Sequence, residues 1–398
     1  MSTFRSLVES RNFRRYFIGQ TISTSGTWMQ SVGQGWLVLE LTHSPAQVGL
    51  VTACQTLPIL LFGAAGGVLV DRHDTRGVLF ATQALFMVQS TALGLLTIGG
   101  HVRLWMVFAL AAVYGFAQLV DLPARQSYVL ELVGPTLLTN AVTLNSVNQN
   151  AARVIGPAVA AALIALLGIG ECFLVNAATY AAVVVALLAL DLSATHPPRR
   201  EARHRGQLRE GLRYVWSTPA LRIPLVVMTA IGTLTYEFAV TLPAMAEETF
   251  HGTASTFGLM TGSMGLGAVV GGLFTARSSR DGLGIVARQA AIFGVAVLAL
   301  AAAPSLALAL AVLLAVGAAS LTFIARANST IQLLAPPEMR GRVMALWTMA
   351  FLGTTPIGAP LVGWIAETTS PRLALALGGC TALAAAAYGH VRVAASAA

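Results

Sequence analysis

Residues 48–77 read VGLVTACQTLPILLFGAAGGVLVDRHDTRG. No charged side chain occurs from 48 to 70, and then Asp71, Arg72, His73, Asp74 and Arg76 arrive together. As a helix the apolar part would be about 35 Å long, enough to cross a hydrocarbon core of about 30 Å. The polar cluster marks where such a helix leaves the lipid.

The same alternation runs along the chain. Apolar stretches at about 17–39, 48–70, 78–98, 104–122, 141–167 and 173–190 are followed by others at about 221–244, 255–276, 284–302, 304–325, 343–365 and 371–389. Twelve transmembrane helices are predicted, with only Ala303, Pro304 and Ser305 parting the ninth from the tenth. Pro123 is expected to end the fourth span, leaving PARQSYVLELVGP as a short amphipathic link.

Composition agrees. Of 398 residues, 56% are hydrophobic and 10% charged, against roughly 25% charged in soluble domains. The mean hydropathy is +0.73. A soluble globule with so little polar shell is excluded. Residues 1–15 are polar and basic, and no small-residue cleavage site follows them, so the first apolar stretch reads as a retained helix.

The net charge of +8 comes entirely from arginine, since no lysine occurs. The arginines fall in short loops, so topology explains them better than nucleic-acid binding. With the N-terminus inside, Arg103 and Arg372 lie in outer loops, Arg153 lies in the fifth span, and the rest lie at cytoplasmic ends. Both termini are therefore expected in the cytoplasm.

The longest polar stretch, 191–219, holds Arg199, Arg200, Arg203, Arg205, Arg209 and Arg213. It divides the chain into a six-helix bundle at 1–190, a central cytoplasmic loop and a second bundle at 220–398. ELVGPTLLTNAVTLN from Glu131 aligns with QLLAPPEMRGRVMAL from Gln332, each before the fifth span of its half. Those spans carry Gly156-Pro157 and Gly358-Ala359-Pro360. Repeated halves suit alternating access, with substrate held between them near mid-membrane.

On these features the chain resembles the major facilitator superfamily. It is most similar to the bacterial drug- and siderophore-exporter branch that includes the enterobactin exporters. In GVLVDRHDTR at 67–76, Gly67, Asp71, Arg72 and Arg76 match the family pattern, while Asp74 replaces its usual glycine and Thr75 an often basic residue. The resemblance implies a charge network that closes the cytoplasmic side. A degraded copy, GLFTARSSR at 272–280, has Ala276 in place of the acid but keeps Arg277 and Arg280. ARVIGPAVAAA resembles the exporter motif of the fifth span through Gly156 and Pro157, with Ala160 and Ala161 in place of glycines. In PARQSYVLELV, Arg125 and Glu131 would face headgroups or pair across bundles.

The resemblance implies proton-driven export of hydrophobic, amphipathic or siderophore-like small molecules by a monomer in the bacterial cytoplasmic membrane. Many proton-driven relatives carry an arginine in the fourth span. None occurs from 104 to 122 here, where Tyr114 and Gln118 take its region, so coupling must use other groups.

Charges inside lipid are costly and face cavities. Glu237 and Asp121 are the candidates for proton coupling, and Arg153 for gating or for attracting an anion. Gln30, Gln34, Gln55, Tyr114, Asn145, Asn148, Tyr236 and Trp347 are candidates for a cavity lining, and the amides could equally join helices to one another. Cys54, Cys172 and Cys380 have no ligand spacing, and the seven histidines form no pair. GSMGLGAVVGG at 262–272 lacks the Gly-Lys-Ser/Thr of a phosphate loop. An enzyme, a metal site and a bound cofactor are not expected. A facilitator or importer of the same fold, or a non-transporting scramblase or sensor, are the alternatives.

Overall fold

The computed structural model describes residues 4–195, 207–276 and 282–397. It is an all-α fold of the multi-pass membrane type. Arg199, Arg200, Arg203, Arg205, Arg277 and Arg280, and the side chains of Asp71 and Arg209, lie outside the described residues.

Two compact units emerge, one of residues Met1–Leu41 and Leu57–Glu201, the other of Thr42–Thr56 and Ala202–Ala398. Unit 1 contains α1 (Arg5–Glu9), α2 (Arg11–Thr42), most of α3 (Pro45–Arg72), α4 (Thr75–Ile98), α5 (Leu104–Leu166) and α6 (Ile169–Leu188). Unit 2 contains the start of α3, then α7 (Gln207–Ser217), α8 (Pro219–Leu234), α9 (Phe238–Ala244) and α10 (Ala254–Ala276). It is completed by α11 (Leu283–Ala301), α12 (Leu306–Leu334), α13 (Pro337–Leu352), α14 (Thr355–Thr368) and α15 (Pro371–Ala397). The break between α11 and α12 falls at Ala303, Pro304 and Ser305, where the sequence places it.

Among the described residues, ten helical stretches are long and apolar enough to cross a membrane. The difference from the expected twelve has two causes. First, α2 spans 32 residues but buries Gln20, Gln30 and Gln34, and it falls short of the apolarity of the others. Second, α5 runs for 63 residues through the expected fourth and fifth spans.

Pro123 does not end the fourth span. Helix continues through it to Gly134, which takes φ 67° and ψ 177° and is followed by Pro135. A proline without an N–H leaves the carbonyl four residues earlier without its helical donor. Here that carbonyl belongs to Leu119, and Gly66 of α3 packs directly on it. The helix passes Pro123 with the bare Gly66 backbone close to that carbonyl, whereas Gly134 breaks it because only glycine takes that conformation readily.

Backbone contact at glycines organises each unit, as expected where lipid gives helices no hydrophobic reason to associate. In unit 1, α4 meets α6 through Gly94 and Gly170, each facing the other's carbonyl. In unit 2, α11 meets α15 in the same way through Gly294 and Gly379. Gly156 of α5 lies on α2, and Gly358 of α14 lies on α8.

Candidate functional site

The feature that stands out in unit 2 is a pair of adjacent helix breaks. The run from 219 to 249 stops at Leu234 and resumes at Phe238, with Thr235, Tyr236 and Glu237 between. The run from 337 to 368 is parted at Gly353 and Thr354. Contacts join the two breaks: Gly232 meets the Ala350 carbonyl, and the Tyr236 and Phe351 rings pack edge to face at 5.4 Å. Non-helical backbone at membrane depth is tolerated only where protein or a cavity surrounds it. The Thr235 hydroxyl donates to the Gly378 carbonyl at 2.7 Å, and the Tyr236 hydroxyl donates to the Ser320 carbonyl at 3.1 Å.

Glu237 sits at this junction, 3% exposed. Its Oε1 has no hydrogen-bond partner among the described residues. Tyr236 and Phe238 flank it in sequence, and their rings interlock with those of Phe293 and Phe351 at 5.1 to 6.3 Å. A carboxyl so placed has no ion-pair partner among the described residues, and burying its charge uncompensated is costly.

Asp121 is buried as well, at 1% exposure, but its setting differs. Its Oδ1 accepts from Thr82 Oγ1 at 2.7 Å and Gln83 Nε2 at 2.9 Å, and its Oδ2 pairs with the Arg125 guanidinium one turn on. Arg125 also donates to Gln20 Oε1, whose amide donates to the Tyr16 hydroxyl at 2.9 Å. Arg125 therefore lies on the same continuous helix as Asp121, because the helix passes Pro123. That arginine pairs with Asp121 within one helix and supplies its counter-charge.

Gln30 is the hub of a second buried network in unit 1. Its Oε1 accepts from Ser90 Oγ at 2.7 Å and Asn176 Nδ2 at 2.5 Å, and its Nε2 donates to Gln89 Oε1 at 3.0 Å. These bonds tie α2 to α4 and α6, and they use both lone pairs of the Gln30 carbonyl oxygen and one of its two N–H donors. Sequence reasoning overlooked Thr82, Gln83, Gln89, Ser90 and Asn176. Their common signal was a polar side chain inside an apolar stretch.

The other singled-out residues are scattered. Arg76 donates to the Leu187 carbonyl at 2.8 and 3.1 Å and lies 5.2 Å from the Phe80 ring centre. Gly67 is buried and Arg72 exposed. Arg153 lies 4.9 Å above the Trp28 ring. Trp28 also abuts Gly156, where a methyl group would lie 2.5 Å from Trp28 Cβ and 2.6 Å from the Ser25 carbonyl oxygen. Pro157 beside it is buried. Tyr114 accepts from Gln118 Nε2 at 2.6 Å and packs on Phe86 at 5.1 Å. Asn148 and Trp347 are buried, Gln34 is 4% exposed, and Asn145 and Gln55 are half-buried. Among the described residues no group of three or more His, Cys, Asp or Glu side chains could hold a metal ion.

Known proteins supply the context. The chain is 25% identical to the staphyloferrin A transporter of Staphylococcus aureus (strain NCTC 8325 / PS 47), over 64% of either chain, less than two thirds of that relative's length. It is 27% identical to the multidrug efflux pump Tap of Mycolicibacterium fortuitum over 86% of each. With the enterobactin exporter EntS of Citrobacter koseri it shares 25% identity over 92% of this chain and 88% of the exporter. Among solved structures, a POT family transporter in complex with 5-aminolevulinic acid has the same fold, with a TM-score of 0.77 at 12% identity, covering 96% of each chain. The nucleoside transporter NupG gives 0.75 at 14% identity, covering 96% of this chain and 99% of its own. The sequence model of the transmembrane secretion effectors matches residues 1–397, and the chain belongs to that family of major facilitator transporters, which are transport proteins and not enzymes.

Proposed function

We propose that the protein is a secondary active transporter that exports hydrophobic, amphipathic or siderophore-like small molecules from a bacterial cell by alternating access, driven by protons. The observation that carries this reading is Glu237. It is a carboxyl buried without a counter-charge at two helix breaks, and broken spans are where secondary transporters hold their coupling ions. Asp121, the other coupling candidate, carries its own neutralising arginine and fits a structural role better. The names of the relatives, among them an efflux pump and siderophore exporters, support export as the direction and set the substrate class.

Twelve spans in two six-helix halves remain the best account of the chain. A 63-residue α5 would be about 95 Å long, three times the bilayer core, so its break at Gly134 divides two spans. Adding α2 as a polar, inward-facing first span brings the ten to twelve. The matching glycine contacts, Gly94 with Gly170 and Gly294 with Gly379, favour duplication of a six-helix unit. Both termini would then be cytoplasmic. A single chain carrying both halves would act as a monomer in the inner membrane.

The test is proton-linked transport in inverted membrane vesicles, with a panel of hydrophobic drugs and siderophores. Substrate-dependent proton release by the wild type, lost in Glu237→Gln with the fold intact, is the expected result. Release that survives Glu237→Gln unchanged would overturn the assignment of Glu237. Substrate movement that ignores a proton uncoupler would point to facilitation instead.

A further inference from the structure

The helix α7 is 11 residues long and carries Arg209, Glu210 and Arg213 in its sequence, so it is too short and too polar to cross a bilayer. Thr218, in extended backbone, parts it from Pro219, where the membrane-crossing stretch Pro219–Thr249 begins. It therefore stands one residue from the point where a span enters the lipid.

Two contacts within unit 2 fix which way α7 faces. Val215 is buried, and the Glu210 carboxylate pairs with Arg342 of α13 at 2.7 Å. Arg222 of α8 also donates to the Trp216 carbonyl at 3.4 Å, at the last turn. The face left open carries Leu212, Arg213 and Trp216, which lie together because positions three and four apart are neighbours on a helix. Leu212 is 50% exposed and Trp216 63%. Arg213 is exposed as well and has no ion-pair partner among the described residues.

Water is a poor occupant for that face. A leucine and a tryptophan one turn apart make a continuous apolar surface. Tryptophan gathers at the level of lipid headgroups, where its ring meets hydrocarbon and its N–H meets polar groups. Arg213 adds a cation beside them, while the one acid of α7 is taken up by Arg342. An apolar and positive face complements a layer of acyl chains under anionic headgroups.

We propose that the Leu212–Arg213–Trp216 face of α7 docks on the membrane surface beside α8 and binds the headgroup of an anionic phospholipid. Trp216 sits at headgroup level and the Arg213 guanidinium meets the phosphate. The Glu210–Arg342 pair and Val215 hold the helix in the orientation that presents them.

The experiment reads Trp216 fluorescence in proteoliposomes of the full chain. Either the phosphatidylcholine or the phosphatidylglycerol carries brominated acyl chains, because bromine quenches a tryptophan that it touches. The chain has six tryptophans, so the Trp216 signal is the difference between wild type and Trp216→Phe. Trp216 and Arg213 are exposed, so neither substitution disturbs the packing of unit 2. The expected result is a quenched Trp216 signal, with phosphatidylglycerol taking the position about fivefold better than phosphatidylcholine. Arg213→Gln should keep the quenching and bring that ratio close to one. Arg392→Gln removes the same charge from α15, where it lies over Tyr388, and should leave the ratio as in wild type. A Trp216 signal that neither brominated lipid quenches would overturn the docking and place this face in water or against another protein. An unchanged ratio in Arg213→Gln, or an equal fall in Arg392→Gln, would overturn the headgroup recognition.

Discussion

Arg125→Met tests whether the Asp121 pair is part of the scaffold. Asp121 is 1% exposed and the Arg125 side chain 20%. Removing the guanidinium leaves a carboxylate inside unit 1 with only Thr82 and Gln83 to stabilise it. Breaking a buried pair in this way costs about 3–5 kcal/mol. The partial exposure of Arg125 admits some screening, which puts the estimate at the lower end, about 3 kcal/mol. For a folding unit of this size that is a fall of roughly 6–12 °C in melting temperature. Asp121→Asn keeps an acceptor for Thr82 and Gln83 and removes the charge. Combined with Arg125→Met, it should restore more than half of the loss. The assay is thermal unfolding of the four proteins in one detergent, completing a double-mutant cycle. A folded Arg125→Met protein as stable as wild type, or a double variant no better than Arg125→Met, would refute the reasoning. The double variant should also retain proton-linked transport, because the pair is assigned to structure and not to coupling.

Other outcomes follow from single positions. Gly134→Ala forces a side chain into a glycine-only conformation at φ 67°, and it should lower stability by about 1–3 kcal/mol in the same unfolding assay. Gln30→Leu leaves Asn176 Nδ2 and Gln89 Oε1 without their shared partner, at a cost of about 1–3 kcal/mol in thermal unfolding. At the end of α6, outside the spans, the hydroxyl and N–H of Ser193 hold the Asp191 carboxyl below its ordinary value. A depressed carboxyl contributes stability that is present above its unfolded pKa of about 3.9 and lost as pH falls through the folded value. Asp191→Asn should therefore flatten the acid limb of a melting-temperature profile and leave neutral pH nearly unchanged.

The all-α membrane fold was legible because a lipid-crossing helix needs a long uncharged run, and chains show such runs openly. The break between α11 and α12 was readable from three residues, Ala303 to Ser305. The end of the fourth span was misread. Proline is a strong local signal, but the described helices run through it at Pro58, Pro123 and Pro157 alike, and the break comes instead at Gly134. The same error assigned Arg125 to headgroups or the other bundle, when it pairs with Asp121 one turn earlier on the same helix. Glu237 was legible as a lone acid in an apolar stretch. Gly358 was legible as one of the two Gly/Pro sites, but its closeness to Glu237 was not, since it lies more than a hundred positions away. Gln30 shows the opposite limit. A buried glutamine reads equally as cavity lining or as an interhelical clasp, and only its three partners reveal the clasp.

The most direct test of the central claim separates carrying from coupling. Purified wild type and Glu237→Gln would be reconstituted in proteoliposomes, and two rates compared: substrate exchange at equal pH, and uphill accumulation driven by a pH gradient. The account predicts that Glu237→Gln keeps exchange and loses accumulation, because the carrier still alternates but no longer moves a proton with each cycle. Gradient-driven accumulation at the wild-type level in Glu237→Gln would contradict it.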